Sequence, residues 1–200
     1  MDEPTRNYDR MRQGLTHRGL DPELTEMKDK GAEALALFNA TEGQQDLEAR
    51  RRLLRDILGA SGKSWIIPPV RWEYGKHIFI EDSCLINSEC LFLDGADVVI
   101  RKGTLVGPRC MFLTATHPVV PEDRLVFDPE TGELERGYAI NKPIEIGPNC
   151  WIGAGSIILP GVTIGEGTTI GAGSVVTKSM PSRVVAAGNP AQVIRQIESG

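Results

Sequence analysis

Three histidines supply the side chains that ordinarily change charge near neutrality, and one of them stands at a break in an otherwise regular pattern. His117 closes the last block of the first array of that pattern, in Thr114-Ala115-Thr116-His117-Pro118. A neutral imidazole held there by rigid neighbours could act as a general base and take the proton of an attacking group. His17 precedes a helical stretch and His77 precedes the first regular array, where surface or packing roles are expected. Cys84, Cys90, Cys110 and Cys150 contain no C-x-x-C pair, so a zinc-type ligand set is not expected. No Ser-His-Asp spacing, phosphate-binding Gly loop or metal-type His cluster occurs, and no metal is expected.

The elements that must hold His117 are written in a six-residue period. From Ile146 onward an aliphatic residue recurs at Ile146, Ile152, Ile158, Ile164, Ile170 and Val176, with Gly following it at Gly147, Gly153, Gly165 and Gly171. The fifth place of each block holds Cys150, Ser156, Val162, Thr168, Ser174 and Met180, mostly small. An amphipathic helix needs spacings of three and four and a strand alternates every two, so this period fits short strands joined by regular corners and stacked as a β-helix. Ile80, Ile86 and Phe92 lead an earlier array, the register jumps by two, and Ile100, Val106 and Phe112 lead again. Three blocks per triangular coil give four or five coils. All four cysteines fall in fifth place, which makes them small buried core residues.

Flanking segments are of another kind. Asp21-Pro22-Glu23 is a helix start with a capping Asp, Pro at the first position and an acid in the first turn, and the helix runs to about Phe38. A second helix after Gly43 carries Leu47, Leu53, Leu54, Ile57 and Leu58 and ends at Gly59. Residues 1–60 therefore form an N-terminal helical segment, 61–190 the coils with an inserted loop at 118–143, and 191–200 a tail. Ala191 to Ile197 is expected as a short helix that covers the open end of the stack with Val193, Ile194 and Ile197. The loop carries Pro118, Pro121, Pro129 and Gly132 among acids, and a segment of this length inside a regular stack is expected to be functional.

A hydrophobic content of 40% and a net charge of −5 suit one soluble domain, with no concentrated basic run for nucleic acid. No apolar stretch reaches membrane-spanning length and Met1 to Leu20 is too polar for a signal-peptide core, so a cytoplasmic location without membrane association is expected.

The ordered set of motifs resembles the maltose/galactoside O-acetyltransferase family. It comprises the hexapeptide array, Tyr74-Gly75, the segment ending in His117, Asn149-Cys150-Trp151-Ile152-Gly153, Leu159-Pro160-Gly161, Gly171-Ala172-Gly173 through Thr177-Lys178, and Ala187-Gly188-Asn189-Pro190-Ala191. The resemblance spans nearly the whole chain. It implies a left-handed parallel β-helix, a homotrimer with sites between subunits, and direct acetyl transfer from acetyl-CoA to the hydroxyl of a small-molecule acceptor. Handedness rests on the resemblance alone, since general crossover rules favour the right hand. His117 matches the family's general base. Asn87, Asp94 and Glu73 match acceptor-side positions, although an Asn at a coil corner and an Asp in a turn also have plain structural roles. Trp151, Ala154, Ala172, Thr177, Lys178 and Arg195 match positions near the cofactor.

The chain departs from the family pattern on the acceptor side. His17-Arg18 stands where a Tyr-Asp pair is common, Glu73 where Asp or Ser is common, and Ala139 where a Glu often occurs. An amine or antibiotic acceptor on the same fold, or a trimeric binding scaffold without catalysis, are the alternatives this asymmetry leaves open.

Overall fold

The computed structural model describes residues 6–43 and 47–198. Its N-terminal segment comprises α1 (Asn7–Arg12), β1 (His17–Arg18), α2 (Pro22–Asn39) and α3 (Leu47–Ile57). The expected cap is present: Asp21 Oδ1 accepts from the N–H of Glu23 at 3.0 Å and of Leu24 at 3.4 Å. The second helix is found from Leu47, while positions 44–46, where it was expected to begin, lie outside the described residues. Phe38 and Leu54 are buried against the coils, and the indole N–H of Trp72 donates to Gly31 O at 2.9 Å. These contacts anchor α2 and α3. Among the described residues no helix is long and apolar enough to cross a membrane.

Five coils follow. The first runs β2 (Ala60–Ser61), β3 (Trp65–Ile66) and β4 (Arg71–Trp72), and the second runs β5 (Ile78–Ile80), β6 (Leu85–Ile86) and β7 (Leu91–Leu93). The third runs β8 (Val98–Ile100), β9 (Leu105–Val106) and β10 (Met111–Leu113), then leaves the stack through β11 (Ala115–Thr116), β12 (Leu125–Phe127) and β13 (Leu134–Asn141). The fourth is β14 (Ile144–Ile146), β15 (Trp151–Ile152) and β16 (Ile157–Ile158), and the fifth β17 (Thr163–Ile164), β18 (Thr169–Ile170) and β19 (Val175–Val176). The chain ends in β20 (Val184–Gly188) and β21 (Ala191–Gln196).

Parallel pairing from coil to coil makes three faces, which we number by the order in which each coil visits them. The first face stacks β2, β5, β8, β14 and β17, the second β3, β6, β9, β15, β18 and β20, and the third β4, β7, β10, β16 and β19. The register sets every block leader on its equivalent: Ile80 on Ile100, Ile146 and Ile164 on the first face, and Ile86 on Val106, Ile152 and Ile170 on the second. Phe92 and Phe112 stack on the third with ring centroids 5.0 Å apart. The first coil, absent from the six-residue pattern as read, joins the same columns through Ile66 and Trp72. Its helical neighbours supply contacts that the repeat supplies elsewhere.

Fifth-place residues do more than fit a corner. The thiols of Cys84, Cys110 and Cys150 donate to the carbonyls of Arg101, Gly153 and Gly165 in the next coil at 3.1, 3.2 and 3.1 Å. Thr168 Oγ1 donates to Pro181 O at 2.7 Å in the same way. At these four corners a small donor satisfies a buried backbone carbonyl of the following turn, whereas Val162 and Met180 fill the fifth place by packing alone.

One expected element is wrong. Ala191 to Ile197 is not a helix: β21 pairs antiparallel with β20, with Val185 opposite Arg195 and Gly188 opposite Ala191. The chain reverses after Gly188, at φ +108°, and the open edge of β20 offers a row of backbone groups that a strand satisfies and a helix cannot. Val193 and Ile194 are consequently exposed rather than packed on the stack.

Candidate active site

The corner from the third face to the first carries the site. In the first coil it is Glu73 to His77, in the second Asp94 to Asp97, and in the third it opens into the excursion that begins after β10. β11 and β13 form the neck of that excursion, with Ala115 opposite Asn141 and Thr116 opposite Ile140. On its other edge β13 pairs with β1, His17 facing Ala139 and Arg18 facing Tyr138. β12 extends the sheet, so the stretch expected to be an irregular loop is largely a twisted antiparallel hairpin.

His117 lies at the end of β11, exposed, with Nδ1 2.7 Å from Tyr138 O. A carbonyl oxygen can only accept, so Nδ1 carries the hydrogen and Nε2 keeps its lone pair. That is the tautomer a general base requires at Nε2. Tyr138 contributes through its backbone, a role that residue type does not signal and that only the pairing of β13 creates.

The other two histidines are buried. His17 Nδ1 lies 3.2 Å from Leu15 O and its Nε2 3.4 Å from Asn141 Nδ2, while His77 Nδ1 lies 2.6 Å from Asp94 O. Burial lowers the pKa of both imidazoles below the ordinary 6.5. Neither is free to exchange protons with a ligand in the way an exposed ring is.

Glu73 and Asp94 share the corner with His117, but both are already engaged. Glu73 Oε1 is 2.7 Å from Lys28 Nζ of α2. Asp94 is fully buried; its Oδ1 accepts from the N–H of Glu73 and of Tyr74, both at 2.9 Å, and its Oδ2 from that of His77 at 3.4 Å. Burial, opposed by those donors, holds its carboxyl above the ordinary value. The carboxylate ties one coil's corner to the next, which is the turn role open to it from the sequence.

The remaining positions lie elsewhere on the prism. Asn87 is at the corner between the second and third faces, its Oδ1 accepting from Ser88 N at 2.8 Å. Ala154 and Ala172 occupy the same edge in the fourth and fifth coils, exposed, and among the described residues no acceptor reaches their N–H groups. Trp151 stands outward on the second face at 57% exposure, in register with Leu105 and Thr169, and Arg195 is on β21 beside the same face. Thr177 and Lys178 follow β19 on the edge of His117, two coils further along, and both are exposed. A single chain thus presents His117 on one edge and Asn87 with the Ala154–Ala172 pair on another.

Residues 143–178 match the model described as bacterial transferase hexapeptide (six repeats), and residues 10–62 that of the maltose acetyltransferase hexapeptide capping motif. The galactoside O-acetyltransferase of Escherichia coli (strain K12) is 35% identical over 190 residues, which cover 94% of this chain and 88% of that protein. The chain belongs to the maltose/galactoside O-acetyltransferase family. A solved maltose O-acetyltransferase from Clostridium difficile 630 superposes with a TM-score of 0.88 at 33% identity, covering 98% of this chain and all of that one. A hexapeptide-repeat-containing acetyltransferase from Vibrio cholerae O1 biovar eltor, solved with acetyl coenzyme A, has a TM-score of 0.82 at 31% identity, covering 98% of this chain and 100% of that one. As a maltose/galactoside-type acetyltransferase the chain is an acyltransferase, and its coils are the left-handed parallel β-helix of that family. The capping motif runs from within α1 through β1, α2 and α3 to β2, and so takes in the helices beside the first coil and the strand that pairs with β13.

Proposed function

We propose that this protein transfers acetyl directly from acetyl-CoA to a hydroxyl of a sugar or small hydroxylated metabolite, with His117 as general base. The observation that carries the reading is the hydrogen bond from His117 Nδ1–H to Tyr138 O, which leaves Nε2 as a proton acceptor at an exposed site. Nε2 takes the hydroxyl proton as the acceptor oxygen bonds to the acetyl carbon. When the carbon–sulfur bond breaks, the same nitrogen returns the proton to the departing sulfur. The acetyl group moves directly from donor to acceptor in this scheme, so it involves no acyl-enzyme.

Acetyl-CoA supplies the acetyl group as a thioester, and the second-to-third edge suits it. Trp151 offers an apolar surface for the pantetheine arm, the N–H groups of Ala154 and Ala172 lack acceptors among the described residues, and Arg195 is an exposed cation for phosphates, joined across subunits by Lys178 from the edge of His117. One such N–H can face the developing oxyanion. Because Asn87 and the Ala154–Ala172 pair stand on a different edge from His117 and Lys178, the arrangement favours a homotrimer in which the base edge of one subunit faces the donor edge of its neighbour. Asn87 then joins the acceptor site from the neighbouring edge, while Glu73 and Asp94 shape it from beneath His117. The four free cysteines fit a reducing cytoplasm.

Thiol release from acetyl-CoA against a panel of hydroxyl acceptors tests the reading, with mass analysis to distinguish an ester from an amide product. His117→Ala is expected to lower turnover by roughly 10²–10⁴-fold, the usual worth of a general base. An unchanged rate in that variant would overturn the assigned role.

A further inference from the structure

The hydrogen bond that fixes the His117 ring depends on where β13 holds one carbonyl, and β13 is weakly held by backbone alone. Its partners β1 and β11 contribute two residues each at this end. Two buried side chains do the rest. Asn141, 3% exposed, closes β13 and seats its amide on the corner of the second coil: a Cβ added at Gly95 would come within 2.5 Å of Asn141 Oδ1. Thr114 Oγ1 lies 3.4 Å from that oxygen, and the Thr114 carbonyl accepts from Lys142 N at 2.9 Å. From the opposite edge His17, also 3% exposed, receives Asn141 Nδ2 on its Nε2 while its Nδ1–H is held by Leu15 O.

We propose that His17 and Asn141 are positioning residues, a buried side-chain clamp that locks β13 between β1 and the coil corner and thereby fixes which ring nitrogen of His117 carries the proton. This rests on the reading of His117 as the base. The geometry makes three links. Asn141 pins the end of β13 to the coils; the register His17 opposite Ala139 and Arg18 opposite Tyr138 then sets the height of Tyr138 on the strand; and Tyr138 O meets His117 Nδ1–H. His17 can accept from Asn141 only while neutral, and burial favours that form; Lys28, Glu73 and Arg10 are the charged groups that act on it. Loss of the clamp lets β13 shift, and with Tyr138 O displaced His117 is free to populate the opposite tautomer, with the hydrogen on Nε2.

The chain has three histidines, so ring-nitrogen correlation spectra of histidine-labelled full-length protein resolve each tautomer without any acceptor. In the native chain His117 is expected with its hydrogen on Nδ1. His17→Leu removes the acceptor for Asn141 and Asn141→Ala removes the anchor, and each is expected to give a mixture of His117 tautomers at unchanged secondary structure. His17→Gln returns an acceptor oxygen near the lost Nε2 and is expected to restore a single tautomer. If His17→Leu does not fold, Asn141→Ala carries the test alone. An Nδ1–H tautomer retained in both clamp variants would overturn the proposal while leaving the base role standing. Full activity of His117→Ala would overturn the base role, and with it any purpose for the clamp.

Discussion

His117, His17 and His77 have the same side chain and different duties, decided by what their Nδ1 atoms touch and how much water reaches the ring. All three donate from Nδ1 to a backbone carbonyl, but His117 alone is exposed. For the two buried rings the consequence is a dependence of stability on pH. Their folded pKa values lie below 6.5, so between those values and 6.5 the unfolded chain binds more protons, and stability falls as pH falls. Urea unfolding at about pH 7.5 and about pH 5.5 should show the loss, and His17→Gln should flatten part of the slope. An equally steep slope in that variant would rule out the His17 contribution. Asp94 makes the contrary point about residue type. An Asp at an acceptor-side position reads as a substrate ligand in sequence, yet here its oxygens serve Glu73, Tyr74 and His77. Asp94→Ala would orphan those backbone donors and is expected to destabilise the fold by about 3–5 kcal/mol, measurable as a lower denaturation midpoint.

At the scale of elements, what repeats was legible and what does not repeat was not. Six-residue spacing identified the coil columns because each inward position meets the same environment one coil away. The first coil escaped because its outer contacts are Phe38 and Leu54 of the helices rather than another coil. The terminal segment was misread because Val193, Ile194 and Ile197 suit a helix face as well as a strand, and only the open edge of β20 decides between them. Tyr138 and Asn141 left no signal, since one acts through its carbonyl and the other through a partner 124 residues away. Close coil spacing gives a direct test of the element geometry. A Cβ at Gly153 would lie 2.5 Å from Ala172 N, a backbone atom that cannot step aside, so Gly153→Ala should cost roughly 1–3 kcal/mol through overpacking. A wild-type urea midpoint for this variant would mean the fourth and fifth coils can separate.

For the molecule as a whole, charge and apolar surface are unevenly shared. On the first face Arg101 bridges Glu81 and Glu145, 2.8 Å from each, whereas the second face shows Trp65, Leu105 and Trp151 to solvent. Exposed apolar surface of that kind marks a place of contact, and sedimentation at three times 21.8 kDa is the result that the proposed trimer requires. The interior is equally specific: burial pushes the Cys84 and Cys150 thiols up, so an alkylating reagent should find these cysteines silent in the native protein and reactive on unfolding. The excursion between β10 and β14 adds a last point. The chain departs after Leu113 and returns at Ile144, yet Ile100 still meets Ile146 as though nothing intervened. Each coil is specified by its neighbour in space and not by its neighbour in sequence, which makes this fold a nearest-neighbour array with spliceable seams. New chain grafted at the equivalent corner of the fourth coil, where a Cβ at exposed Gly161 would meet only the Lys142 side chain, should leave the stack intact, so the architecture that carries one excursion leaves another corner open to a second.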